Sequence, residues 1–149
     1  MPNIHYDDVL KLLRAIDLRD PFGPRDYCVL VLAAHTGLRI SELVGLTVHM
    51  VFHQGAPRQV LDLPAQLCKN HHGREIPLSP TARKAIGKIV RFNVARGFSI
   101  APHAPLLVSR RHNQLPVCYL QRLVAQLRKQ VGLDVKASPT PFDISLPQG

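Results

Sequence analysis

Tryptophan is absent from the 149 residues, and aromatic side chains make up only 5% of them. A protein that grips single-stranded nucleic acid mainly by stacking bases needs several such rings, so base stacking is excluded as the chief mode of grip. The cysteines Cys28, Cys68 and Cys118 are odd in number and far apart, which excludes a disulfide framework. Cys68, His71 and His72 crowd one short stretch, with His49 and His53 upstream. Their spacing matches no standard zinc finger and a second cysteine pair is missing, so no metal site is expected. The longest apolar run, residues 27–34, falls far short of the roughly 20 residues that a membrane-spanning helix needs. The opening residues are polar and do not read as a secretory leader, so the cytoplasm is the expected compartment and no membrane partner is expected.

Acidic side chains are scarce as well. Asp and Glu number 10 against 19 Lys and Arg, for a formal charge of +9 and a pI near 10.1. That surplus points to a polyanionic partner, nucleic acid before an anionic membrane surface. Hydrophobic residues at 46% are ample for one core in a chain of this length.

Apolar spacing predicts a mainly α fold with a small three-stranded antiparallel sheet (α+β). Val9, Leu12, Leu13 and Ile16 fit one face of a short helix, with Asp7 and Asp8 favourable at its N-terminal end. Pro24 opens a second helix that is apolar nearly all round and therefore central, with Gly37 as its left-handed cap. Ser41 reads as the cap of a short helix, SELVG. Three β-like pieces follow at 47–52, 58–64 and 66–78, the last turning through Asn70–Gly73. Ser79-Pro80 starts a helix carrying Ala82, Ala85, Ile86, Ile89 and Val90 at helical spacing. A last helix runs from Pro116 to Gly132 with Leu120, Leu123, Val124 and Leu127 on one stripe. The folded unit is expected over 1–135, and the proline-rich tail 136–149 is expected to be extended or disordered.

Residues 35–46 read HTGLRISELVGL and put Arg39 in an otherwise apolar stretch, between a glycine cap and a helix start. Backbone N–H groups at such a point favour an anion, and a guanidinium beside them suits two oxygens of a phosphate. A plain Arg39–Glu42 salt bridge with no ligand fits the spacing equally well.

The same stretch resembles the first arginine box of the tyrosine recombinases, the phage-integrase family, over Thr36–Leu43. KNHHGREIPL resembles the family's β-hairpin lysine element, which makes Lys69 the equivalent lysine. SPTARKAI and the run from APLLVSRRHNQLP to VGLD resemble the two segments that follow, in the right order. The resemblance implies a catalytic domain that binds double-stranded DNA and cuts one strand at a time through a phosphotyrosyl link, with no metal or cofactor. It implies that Arg39 stabilises charge on the phosphate, that Lys69 protonates the leaving oxygen and that Glu42 supports the pocket. Arg74, Lys84, Arg110 and Arg111 are the basic residues expected against the DNA backbone.

The likeness stops before two further family elements, an H-x-x-R box on a later helix and a tyrosine about thirty residues beyond it. The chain therefore reads as a partial catalytic domain, unable to recombine DNA alone. His71–Arg74 spells H-x-x-R but lies in the hairpin turn, and Tyr119 precedes the place where the box belongs, so core packing is its expected role. The alternative is a regulatory interaction module that binds an intact recombinase or self-associates, through a groove lined by the helices at 24–35 and 116–131.

Overall fold

The computed structural model describes residues 6–68 and 72–132, with Tyr6 and Asp7 given by backbone alone. The long helices are α1 (Tyr6–Ala15), α2 (Gly23–Thr36), α5 (Pro80–Ala95) and α6 (Val117–Gln130). Between α2 and α5 lie α3 (Ile40–Val44), α4 (Val48–Val51), β1 (Phe52–His53), β2 (Ala56–Pro57), β3 (Val60–Leu63), a 3-10 turn (Ala65–Leu67) and β4 (Arg74–Pro77).

The central position of α2 follows from its sequence. Its first turn carries Pro24, where no helical N–H is needed, and Gly23 abuts the Asp17 carbonyl so closely that a Cβ would collide. Gly37 ends it at φ 70°, its N–H donating to Ala33 O at 3.0 Å. Helix α2 packs most extensively on α5, and α1 lies across α2 and α6. Leu12, Val29, Leu32, Ile86 and Ile89 are fully buried where these helices meet, each worth on the order of 2 kcal/mol of hydrophobic stabilisation. Between α2 and α6, Leu30 and Ala33 meet Leu120 and Val124 around a cavity of about 10 Å³, and nearer the start of α2 a cavity of about 250 Å³ lies between Gly23, Asp26, Leu123 and Gln130. A smaller cluster of Phe22, Phe98 and Val108, with Phe92 against it, sits outside the main core.

The start of α5 behaves as its sequence predicts. Ser79 Oγ accepts the Ala82 N–H at 3.1 Å, and Pro80 occupies the first turn. Ser79→Ala is expected to lose about 1 kcal/mol in urea unfolding; a loss no larger than that of an exposed-site control would remove the cap from the account.

Three expectations need correction. The three-stranded sheet is instead two separate two-stranded antiparallel sheets, β1–β2 and β3–β4. The chain breaks the ladder at Pro57, which has no N–H, and Arg58 donates its N–H to Val51 O rather than to a strand. The piece 47–52 is helical over Val48–Val51 and joins a strand only at Phe52. Val48 and Val51 are buried three residues apart, and the Val48 and His49 N–H groups donate to Ala104 O and Pro102 O, so one helical turn forms. Finally, Ser41 does not cap α3. The cap position belongs to Arg39, and Ser41 is exposed inside the first turn. The tail 136–149 lies outside the described residues.

Candidate functional site

The junction from α2 to α3 is built by short-range bonds. Thr36 Oγ1 donates to Leu32 O at 2.7 Å and accepts the Leu38 N–H at 3.3 Å, while Leu38 is buried. Arg39 follows in extended backbone, φ −74° and ψ 158°, as the N-cap of α3. Its N–H donates to Glu42 Oε1 at 2.9 Å, and its C=O accepts the Leu43 N–H at 2.9 Å. Glu42 is 1% exposed, and the same Oε1 accepts a charged hydrogen bond from Arg74 Nη2 at 2.9 Å. Its Oε2 is buried with no hydrogen-bond partner.

The sequence offered an Arg39–Glu42 salt bridge as one reading. What joins the two is the Arg39 backbone; the guanidinium paired with Glu42 belongs to Arg74, whose side chain is 45% exposed. Burying a carboxylate is unfavourable unless it is bonded. Here the carboxylate ties α3 and its Arg39 cap to strand β4. Arg74 keeps a solvent-facing side but has its charge offset.

Among the described residues, Arg74 and the turn carrying Arg110 and Arg111 are also tied to α3. Lys69 lies outside the described residues. The Leu67 methyls fill the space beside Gly45, just past the helix end, where a Cβ would meet them at 2.7 Å. Arg74 reaches Glu42 from the other side. The turn bearing Arg110 and Arg111 is also anchored there: it is closed by the Val108–Gln114 bridge, and Gln114 Nε2 donates to Val44 O at 2.7 Å. Arg110 and Arg111 are both exposed, Arg110 lying 3.4 Å from Asp20 Oδ1 and 4.2 Å above the Phe22 ring. Lys84 sits apart. It is exposed on α5, at the edge of a 230 Å³ cavity against α1 and α2 and of a 370 Å³ cavity that also holds Arg83 and Arg91.

Sequence reasoning missed the buried network behind the Arg110 turn. Arg25 is 1% exposed; its Nε donates to Asp26 Oδ1 at 3.0 Å and its Nη1 to Val108 O at 2.8 Å. The Tyr119 hydroxyl donates to the other oxygen, Asp26 Oδ2, at 2.7 Å. Burial raises the Asp26 carboxyl, outweighing the opposing pull of Arg25 and Tyr119. Burial, then the bond to Asp26, pushes Tyr119 up to about 12, so its phenol stays protonated at neutral pH. An arginine at the start of an apolar helix gave no sign in the sequence that it would be buried, because arginine is ordinarily a surface residue.

Among the described residues no three His, Cys, Asp or Glu side chains gather as metal ligands, and no helix is long and apolar enough to cross a membrane.

The sequence matches the description "Phage integrase family" over residues 2–144. Tyrosine recombinase XerD of Halalkalibacterium halodurans is 26% identical over 133 residues, covering 89% of this chain and 42% of that protein. The chain thus spans less than half the length of that relative. Among solved structures, the XerA recombinase is similar at TM-score 0.68 and 22% identity, over 93% of this chain and 47% of that one. The XerH site-specific recombinase bound to its palindromic difH substrate is similar at TM-score 0.67 and 14% identity, over 89% of this chain and 36% of that one.

Proposed function

The chain belongs to the phage integrase family, and from that premise we propose that it is a duplex-DNA-binding portion of a tyrosine-recombinase catalytic domain. The observation that carries this reading is the Arg39 cap. Its N–H is held by a buried carboxylate that also grips strand β4, so the base of the arginine is fixed before any ligand arrives. Preorganised guanidinium groups suit a phosphodiester whose non-bridging oxygens gain charge during strand cleavage. In this reading Arg39 holds the scissile phosphate, Glu42 positions Arg39, and Lys69 protonates the departing 5′-oxygen. Arg110, Arg111 and Lys84 contact the flanking backbone, while Arg74, its charge committed to Glu42, adds a polar contact at most. The XerH recombinase is bound to a palindromic difH substrate, and its similarity in fold supports a duplex as the partner here.

The test is fluorescence anisotropy with a labelled duplex at low salt. The chain is expected to bind, and Arg39→Ala to bind about tenfold more weakly, the scale of one charge-assisted contact. Equal binding by the two proteins would remove Arg39 from the phosphate.

Strand cleavage also needs a nucleophile. The Tyr119 hydroxyl donates a hydrogen bond to Asp26 and is pushed up to about 12, and no tyrosine follows it in the sequence. The isolated 149-residue polypeptide is therefore expected to leave a suicide duplex uncut. The readout is a denaturing gel, and a covalent protein–DNA band would defeat this part of the proposal.

A further inference from the structure

We infer that the cavity between Phe22, the 108–114 turn and the start of α6 is a binding site for a single phosphomonoester group. The proposed function places Arg110 and Arg111 against the duplex backbone; the inference goes further in giving this cavity a ligand of its own, since a free monophosphate satisfies it with no duplex present. The cavity measures about 430 Å³ and is lined by Arg25, Arg110, Arg111, Gln114 and Tyr119 together with Phe22. That volume lies within the range for small-ligand pockets, which typically run from about 300 to 1,000 Å³.

Its charge is one-sided. Three guanidinium groups converge on the Phe22 ring, with centroid distances of 5.1 Å for Arg25, 4.7 Å for Arg96 and 4.2 Å for Arg110. Of these, Arg25 and Arg110 line the cavity, with Arg111 beside them, and Arg96 lies outside it. The acidic groups facing this cluster are Asp20 and Asp26. Both Asp26 oxygens are taken, by Arg25 and by Tyr119. Asp20 Oδ1 accepts the Phe22 N–H at 2.8 Å and reaches Arg110 only at 3.4 Å. Positive charge is left in excess around a ring that holds the guanidinium planes by cation–π contact.

The second observation is independent of that count. Arg25 is 1% exposed, and its Nη2 is buried without any hydrogen-bond partner. That nitrogen is enclosed, the guanidinium lying 5.1, 5.8 and 5.6 Å from the Phe22, Phe92 and Tyr119 ring centres, so Arg25 lends the cavity wall its charge rather than a direct bond. A phosphomonoester fits the charge of the site: up to two negative charges, three terminal oxygens, and a match to forked guanidinium donors. Ser109, Asn113 and Gln114 add neutral polar groups at the rim. The phosphate can come from a free nucleotide or from the 5′ end of a DNA strand.

The test uses the full 149-residue chain and calorimetric titration with adenosine 5′-monophosphate, inorganic phosphate and adenosine. Saturable binding is expected for the first two, with dissociation constants below about 1 mM, and none for adenosine. Arg110→Ala/Arg111→Ala, both at exposed sites, is expected to weaken it at least tenfold. Lys11→Ala/Arg14→Ala removes the same charge from the exposed face of α1 and is expected to change nothing. If the double arginine variant unfolds, Arg111→Ala alone must show the loss. Equal losses in the two double variants, or binding of adenosine as tight as that of its monophosphate, would overturn the site. Duplexes with 5′-phosphate and 5′-hydroxyl ends separate the sources. A preference for the phosphorylated end that vanishes in the arginine variant assigns a DNA terminus; equal binding of the two duplexes assigns a free monoester.

Discussion

Arg25→Met is expected to lose about 3 kcal/mol of folding stability at neutral pH, the scale seen when one partner of a buried ion pair is removed. Methionine keeps much of the volume, so packing is not the main term. The loss comes from charge and bonding. Asp26 keeps the Tyr119 hydroxyl but loses its countercharge, and Val108 O loses its donor. Asp26 is already raised above the ordinary carboxylate range by burial. A carboxyl raised in the folded state contributes stability that is fully present below its unfolded pKa and is lost as pH rises through the folded value. Removing Arg25 takes away an interaction that lowers Asp26, so the folded value climbs further. The variant's deficit should therefore be smaller in mildly acidic than in neutral buffer. Arg25→Met/Asp26→Asn should recover most of the loss, since asparagine still accepts from Tyr119 and carries no charge. Urea unfolding of the three proteins at two pH values decides this. A deficit that ignores both pH and the second substitution would mean that lost packing, not the unpaired carboxylate, is responsible.

That network shows where sequence patterning stops being informative. The ends of α2, α5 and α6 were legible because each is fixed by a residue with one physical role: Gly37 at φ 70°, Ser79 with Pro80, Gly132 at φ 77°. The apolar stripes of α5 and α6 were legible because burial repeats at the helical period. Helix α4 was not. Four residues cannot display a period, and its form is set by bonds to Pro102 and Ala104, some fifty residues on. The sheet was misjudged because pairing depends on which N–H groups face which partner, and one proline redirected the chain. At the site, Arg39 and Glu42 were picked out by spacing and resemblance, but the bond between them runs through backbone. Arg74 as the partner of Glu42 is a contact across 32 positions, and no local pattern encodes it. Burial of Arg25 is likewise a property of what closes over it.

In the proposed DNA-binding role, the pairing of Arg74 with Glu42 would set the salt dependence. Each phosphate neutralised by a cation releases counterions, so the logarithm of the binding constant falls with the logarithm of salt at about −0.9 per contact. If Arg74 is discounted because Glu42 already balances it, five cations remain: Arg39, Lys69, Lys84, Arg110 and Arg111. They give a slope of about −4.5, and affinity should fall by roughly several hundredfold between about 50 and 200 mM salt. Arg39→Ala should reduce the slope by about one contact. Arg74→Ala should behave differently. It leaves the Glu42 carboxylate buried beside the Arg39 cap without its cation, so affinity should drop at every salt concentration with the slope nearly unchanged. Parallel lines for Arg74→Ala and a shallower line for Arg39→Ala would separate a residue that positions the phosphate-binding arginine from one that touches the phosphate. A shallower line for Arg74→Ala as well would mean that its exposed side reaches the backbone directly and that Glu42 does not hold its charge in the complex.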